Sequence, residues 1–250
     1  MIPPRTPAPV SQVTWTVRQF ATLFVANLAA SVILVVLVGA AYQQFVGDLD
    51  ARFTFLVSSP LQFLVLGGLL WLLVRSVGGR FDRDLGLIIE VRDLPGIFIG
   101  SLMLFVLGAL ATPIVKASGI TENPQGISEQ LGEATGVTLL IAVLGAVVAA
   151  PILEEVMYRG LLQRALAARF SRRVTFFITA AVWALAHVFT VEPGTANFLV
   201  KVGIVVGVTF LLGLVLSRLA DKDGRLGRAV LTHAGFNLTS MAVGILVGGV

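Results

Sequence analysis

The sequence predicts an all-α bundle of about seven transmembrane helices, and three observations lead to that fold class. Hydrophobic residues make up 56% of the 250-residue chain, charged residues make up only 13%, and the mean hydropathy is +0.93. A soluble domain carries about 25% charged residues because it must solvate its surface. The apolar residues also occur in runs long enough to cross the hydrocarbon core, which takes about 20 residues. The composition therefore argues against a water-soluble globule, a disordered chain and a free-standing nucleic-acid-binding domain.

The predicted elements follow one another along the chain in two groups of helices. Residues 1–15, rich in proline, are expected to form a disordered cytoplasmic tail. Three leading spans fall within residues 16–117, and a core of four more falls within residues 136–250. Residues 160–173 are too short and too basic to span, so they are predicted to be an interfacial amphipathic helix. The spans are expected near residues 19–41, 53–74, 95–115, 136–153, 174–190, 196–216 and 229–249, and an eighth, half-inserted segment is left open.

The distribution of lysine and arginine predicts how this bundle is oriented. The N-terminal tail and the loops after the second, fourth and sixth spans hold 15 of the 18 basic residues. Such an excess on alternate loops marks the cytoplasmic side of a membrane protein. We therefore expect a cytoplasmic N-terminus and an extracytoplasmic C-terminus, in the cell membrane, with lipid rather than nucleic acid around the chain. There is no cysteine, so a disulfide framework, a thiol nucleophile and a thiolate metal site are all excluded.

Ionisable residues within the apolar segments are concentrated in the last four spans. Both histidines of the chain, His187 and His233, lie in hydrophobic stretches, and Glu154 and Glu155 stand at the end of the fourth span. Burying such groups in a membrane is costly, so each of them marks a candidate functional site. A span that ends at residue 153 would place Glu154 near the cytoplasmic edge, with His187 about 20 Å deeper at 1.5 Å per residue.

Helical spacing groups these residues further. Glu155 and Arg159 are four positions apart, in the order that favours an ion pair, and His233 and Asn237 are also four apart. Pro151 lacks an N–H group, so it is expected to leave the carbonyl of residue 147 unpaired just before the glutamates. Taken singly, these features have simpler explanations: an ion pair at the end of a helix, a hydrogen bond between helices, or a histidine packed in the core. Together they make a set suited to hydrolysis, so the four spans within residues 136–250 are predicted to form a catalytic core.

The set resembles the CPBP intramembrane proteases, a family that includes the CAAX prenyl endopeptidases and bacterial bacteriocin-processing or immunity proteins. The resemblance covers roughly residues 136–245 and is carried by Glu154-Glu155-x-x-x-Arg159, Trp183-x-x-x-His187 and His233-x-x-x-Asn237. The tryptophan stands where the family usually has phenylalanine, a departure expected to affect packing and not chemistry. Three motifs in order on successive hydrophobic segments are more specific than any one of them alone.

The resemblance implies a role for each motif residue. Glu154 would be the general base that activates water, and His187 would share that water or receive its proton. His233 and Asn237 would donate hydrogen bonds to the tetrahedral oxyanion, and the glutamate–arginine pair of the first motif would hold its helix in place. The implied activity is hydrolysis of a peptide bond near the cytoplasmic membrane face, in a membrane-associated peptide or protein whose prenylation is left open.

Alternatives remain open at this point for the cofactor and for the function. Glutamate catalysis without a metal is favoured, and the alternative is zinc or another divalent ion bound by Glu154, His187 and His233, because two histidines and a carboxylate can form a catalytic zinc site. The rival functions are a catalytically silent immunity or binding protein of the same fold and a proton-coupled transporter. Transporters often contain repeated halves with broken helices, whereas this chain has its ionisable residues in one half. The oligomeric state is left open.

Overall fold

The computed structural model describes residues 11–48, 53–120, 136–191 and 193–248, and this part of the chain is an all-α bundle without strands. Seven of its helices are long and apolar enough to cross a membrane, which confirms the predicted fold class and makes this an integral membrane protein. A π-helical turn, Thr54–Ser58, precedes α2, and a 3₁₀ turn, His187–Thr190, extends α6. The helices are α1 Val17–Phe45, α2 Ser59–Ser76, α3 Phe81–Asp84, α4 Pro95–Ser118, α5 Gly136–Ala167, α6 Arg172–Ala186, α7 Phe198–Asp223 and α8 Gly227–Gly248.

The segment predicted to be a disordered tail is packed where the structure describes it. Residues 1–10 lie outside the described residues, but Trp15 is only 4% exposed and its indole N–H donates to the backbone oxygen of Asp84 at 2.8 Å. The carboxylate of Asp84 accepts from the Gln12 N–H at 2.7 Å and from the Ser11 hydroxyl at 3.1 Å. Hydrogen bonds from Arg83 hold the pKa of the Asp84 carboxyl well below its usual range. Residues 11–15 are thus fixed to α3 by the ionised carboxylate and the backbone oxygen of Asp84.

One end of the bundle carries most of the basic side chains, and we call it the basic end. At this end lie the C-termini of α2, α5 and α7 and the N-termini of α4, α6 and α8. Helix α3 lies between α2 and α4 in the chain. Its ion pairs include Arg225–Glu90 at 2.9 Å and Arg83–Asp84 at 2.7 Å. The opposite end, where α2, α5 and α7 begin, is called the far end. The charge pattern predicts that the basic end is cytoplasmic.

Helix α5 differs from its prediction, because it continues past residue 153 to Ala167. Residues 160–167 are not an interfacial helix: Leu161 is fully buried and Leu166 is 4% exposed. Gly160 lets the backbone of Leu85 approach so closely that a Cβ would lie 3.1 Å from its carbonyl oxygen. The helix continues through a charged stretch because other helices, and not lipid, surround that stretch, so its charges find partners within the protein.

The packing of α4 against α8 fixes the position of the third motif. Gly100 on α4 lies against the backbone of Thr232, with no room for a Cβ, and Gly235 on α8 lies equally close to the backbone of Ile97. Small residues allow such close approach between membrane helices. The contact seats His233, which follows Thr232, on the inner face of α8, where only 3% of it is exposed.

Candidate active site

The three motifs meet at the side chain of Trp183, which α6 places in the core with 1% of its surface exposed. Its indole N–H donates to Oε2 of Glu154 at 2.7 Å. The ring makes edge contacts with two imidazoles, that of His187 at 4.8 Å and that of His233 at 5.3 Å between centroids. One aromatic ring therefore contacts the proposed base and both histidines, which come from three different helices.

The second glutamate belongs to a buried cluster behind this ring. Oε1 of Glu155 accepts from Nη1 of Arg159 at 2.8 Å and lies 3.1 Å from Nδ1 of His233. Arg159 also donates to the carbonyl of Gly213 at 3.2 Å, and its guanidinium carbon lies 4.6 Å from the Trp183 ring centroid. Both members of the ion pair are inaccessible to solvent. The pair is therefore not an interfacial one at the end of a helix, and it connects the first motif to the third.

Hydrogen-bond partners assign the tautomers of both histidines. Nδ1 of His187 lies 2.8 Å from the backbone oxygen of Trp183, and Nδ1 of His233 faces the Glu155 carboxylate. Carbonyl and carboxylate oxygens only accept, so each Nδ1 is assigned the hydrogen. In the neutral rings the Nε2 atoms are then the basic nitrogens.

Asn237 has a backbone partner that the sequence did not indicate. Its Nδ2 donates to the carbonyl of Ala146 at 2.8 Å. The π-helical turn Gly145–Ala149 pairs each carbonyl with the N–H five residues later, so the missing N–H of Pro151 leaves the Ala146 oxygen without an intrahelical donor. The prediction for the Val147 carbonyl assumed regular α-helical spacing; in the π-helical turn the carbonyl five residues before Pro151 is that of Ala146, which Asn237 satisfies.

Glu154 and Asn237 line one cavity of about 790 Å³, formed by α2, α5, α8 and the turn after α6. His187 and His233 are not among the residues of its wall, and both rings contact Trp183. The structure thus brings two of the six predicted site residues to the cavity surface and places the other four in the supporting layer. The lining residues are Ser59, Pro60, Gln62, Phe63, Leu64, Ile141, Ala142, Leu144, Gly145, Ala146, Val148, Ala149, Ala150, Glu154, Thr190, Asn237 and Met241.

The depth of Glu154 differs from the value that the sequence indicated. Because α5 runs to Ala167, Glu154 lies thirteen residues, or about 20 Å, from the basic end of its helix. His187 on α6 is fifteen residues from Arg172, or about 22 Å from the same end. The apparent 20 Å mismatch between the two residues came from ending the span at residue 153, where the charges begin.

The predicted metal ligands do not form a metal site in the described part of the chain. No group of three or more histidine, aspartate or glutamate side chains there is arranged to hold an ion. Oε2 of Glu154 is engaged by the Trp183 indole, and Nδ1 of His233 faces Glu155. Metal-free catalysis and the alternative divalent-ion site both stay predictions, and the mechanism proposed below uses Glu154 as the base.

Trp183 is the site residue whose contribution the sequence interpretation missed. It was assigned to packing, as a substitute for phenylalanine, but its N–H donates to the proposed base. A buried indole N–H usually finds an acceptor. The signal was therefore present in the sequence, as an indole in a hydrophobic segment.

Of three comparisons with known proteins, the comparison with protein families gives a match. No curated protein and no solved structure matches the chain significantly. The family described as type II CAAX prenyl endopeptidase Rce1-like matches residues 136–239, a range that holds all three motifs and α5 to most of α8. The match agrees with the relation to the CAAX proteases that the motifs predicted, and this part of the chain is similar to the Rce1-like family.

Proposed function

We propose that the protein is an intramembrane endopeptidase in which Glu154 is the general base. The observation that carries this proposal is the setting of Glu154: it lies in the wall of a large apolar cavity and is held by an N–H group from another motif. The match to a prenyl endopeptidase family supports the same reaction class.

The first step activates a water molecule. The Trp183 N–H engages Oε2 of Glu154, which leaves Oε1 to accept a hydrogen bond from water in the cavity. As the water oxygen attacks the scissile carbonyl carbon, Glu154 takes its proton, and a tetrahedral oxyanion forms. The C–N bond then breaks, and protonated Glu154 returns the proton to the leaving amine. Such positioned proton transfer contributes about 10²–10⁴-fold to rate.

Asn237 is the proposed oxyanion donor in the cavity wall. One hydrogen of its Nδ2 binds the Ala146 carbonyl, and the second is directed to the oxyanion. His233 lies outside the cavity wall, so we assign it to positioning: its Nδ1 faces Glu155 and its ring contacts the indole of Trp183. His187 is assigned the same kind of role, because its Nδ1 is bound to the backbone oxygen of Trp183 and its ring packs against the indole that holds Glu154.

The substrate class proposed from the family description is a membrane-associated peptide of the prenylated CAAX type. The probe peptide for the experiments below is an internally quenched peptide ending in a farnesylated CAAX sequence, and its unprenylated twin tests the need for the lipid. The protein is assayed in detergent micelles, where the probe reaches both ends of the bundle.

Replacing Trp183 by phenylalanine is expected to lower kcat for the probe peptide about tenfold or more, with little change in KM. The change keeps the aromatic packing but removes the N–H donated to Glu154, and a hydrogen bond to a charged group is worth about 1.5–3 kcal/mol. Steady-state hydrolysis measures both constants. Trp71→Phe, at a tryptophan that is 53% exposed, is the matched control and should hydrolyse at the wild-type rate. Equal rates for the two variants would show that the indole hydrogen bond does not support catalysis.

Whether a metal takes part in catalysis is tested by measuring the metal content and the hydrolytic activity of one preparation. We expect purified protein, dialysed against a strong chelator, to hydrolyse the probe peptide at its original rate, because Glu154 itself accepts the proton. Elemental analysis should then find well under one divalent ion per chain. A stoichiometric ion, together with activity that is lost on chelation and regained with zinc, would instead establish the metalloprotease alternative.

A further inference from the structure

We propose that Glu154 is reached from the far end of the bundle, so that the peptide segment beside the scissile bond enters from the extracytoplasmic half of the membrane and carries apolar, uncharged side chains. This inference rests on the proposed function and specifies its substrate. It differs from the sequence-based expectation of a site near the cytoplasmic face, and the experiment below decides between the two.

The cavity extends from Glu154 away from the basic end. Its wall uses residues 59–64 at the start of α2 and residues 141–150 in the first part of α5, and these are the far-end portions of both helices. Thr190, which follows α6 and is exposed, completes the wall at the same end. The cavity therefore lies between the proposed base and the far end.

Toward the basic end, the same carboxylate is closed off by packed protein. Every residue from 155 to 163 is buried. Leu161 and Leu216 are fully buried, and Leu226 is 1% exposed, so α5, α7 and the start of α8 form a continuous core below the site. Interiors of this kind are close-packed, with few voids larger than a water molecule. Neither water nor a peptide has a route to Glu154 through this core.

The dimensions and chemistry of the cavity indicate what enters it. From Ile141 to Glu154 the wall of α5 is thirteen residues long, or about 20 Å, which accommodates about six residues of extended peptide. Glu154 is the one ionisable side chain among the described lining residues, and several of the others are alanine or glycine. An apolar segment with small or medium side chains fits this wall, whereas a charged one would lose its hydration without gaining a partner.

The charge distribution then gives the side of the membrane. The sequence assigns fifteen of the 18 basic residues to one side; Arg159 is buried within α5, and the other fourteen still mark the basic end as cytoplasmic. The far end, and with it the cavity, is therefore extracytoplasmic.

The chain contains no cysteine, so single cysteines report access without background. Ala149→Cys places a thiol in the cavity wall, five residues before Glu154, and Ala165→Cys makes the same change at a buried position on the basic side. Ala168→Cys, exposed in the turn after α5, marks the basic end. Each variant is treated with a membrane-impermeant, charged thiol reagent in right-side-out and in inside-out vesicles.

We expect Ala149→Cys to react at least about tenfold faster in right-side-out vesicles, Ala168→Cys to react in inside-out vesicles, and Ala165→Cys to react in neither. Reaction of Ala149→Cys from the same side as Ala168→Cys would overturn the proposed route. Exposure of Ala168→Cys in right-side-out vesicles would overturn the extracytoplasmic assignment.

Labelling does not require hydrolysis, so this test is independent of the proposed function. If the labelling pattern is as expected but the wild-type protein in micelles leaves the probe peptide uncleaved, the proposed function fails and the access route stands. If the protein cleaves the probe but Ala149→Cys reacts from the basic side, the route fails and the function stands.

Discussion

Replacing Glu154 by glutamine should lower the turnover of the probe peptide by at least about a hundredfold while the peptide still binds. The amide keeps the shape of the side chain and can still accept the Trp183 N–H through its oxygen, so the packing around the indole is retained. It cannot take the proton of the attacking water. Single-turnover hydrolysis measures the chemical step, and equilibrium binding of the fluorescent probe measures affinity. A variant that cleaves the probe as fast as wild type would rule out Glu154 as the base.

The neighbouring Glu155→Gln variant is the matched control, because the same chemical change is made one residue away. Here the lost charge leaves Arg159 buried without its ionic partner, and breaking a buried pair typically costs about 3–5 kcal/mol. We expect a lower yield of folded protein by size-exclusion chromatography, whereas Glu154→Gln should fold normally. A proton-coupled carrier would give a different result, in which Glu154→Gln alters pH-dependent flux in proteoliposomes and no variant cleaves the probe.

Much of the fold followed from the sequence because lipid imposes simple constraints. Long apolar runs must be helices when no water is present to satisfy the backbone, and hydropathy therefore located all seven spans. The same argument misplaced the end of α5. Hydropathy places the end of the membrane span at Glu155 and Arg159. This pair is instead buried among protein side chains, and the helix continues to Ala167.

The site could be predicted in its residue types but not in its arrangement. Spacing indicated that Glu155 pairs with Arg159, which the structure confirms, but the contact of Glu155 with His233 depends on how α5 and α8 pack. The hydrogen bond from Trp183 to Glu154 likewise joins residues 29 positions apart on two helices. Helical periodicity in the sequence describes one helix at a time, so it does not predict contacts between helices.

Asn237→Ala is expected to lower turnover of the probe by about 10²–10³-fold with little change in KM, as loss of an oxyanion donor does. The same change also removes the donor to the Ala146 carbonyl, and an unsatisfied buried acceptor costs about 1–3 kcal/mol. A loss of activity in this variant alone could therefore arise from local unfolding of α5. The two effects need to be measured separately.

Pro151→Ala separates them, because it restores an N–H group at position 151 that can bond within α5 to the carbonyl that Asn237 now satisfies. In the double variant Asn237→Ala/Pro151→Ala, thermal unfolding should return toward that of Pro151→Ala alone, since the carbonyl has a partner again. Turnover should nevertheless stay about 10²–10³-fold below that of Pro151→Ala, because no side chain at position 237 reaches the oxyanion. If turnover recovers together with thermal stability, Asn237 serves only to complete the hydrogen bonding of α5, and the oxyanion donor must be sought elsewhere in the cavity.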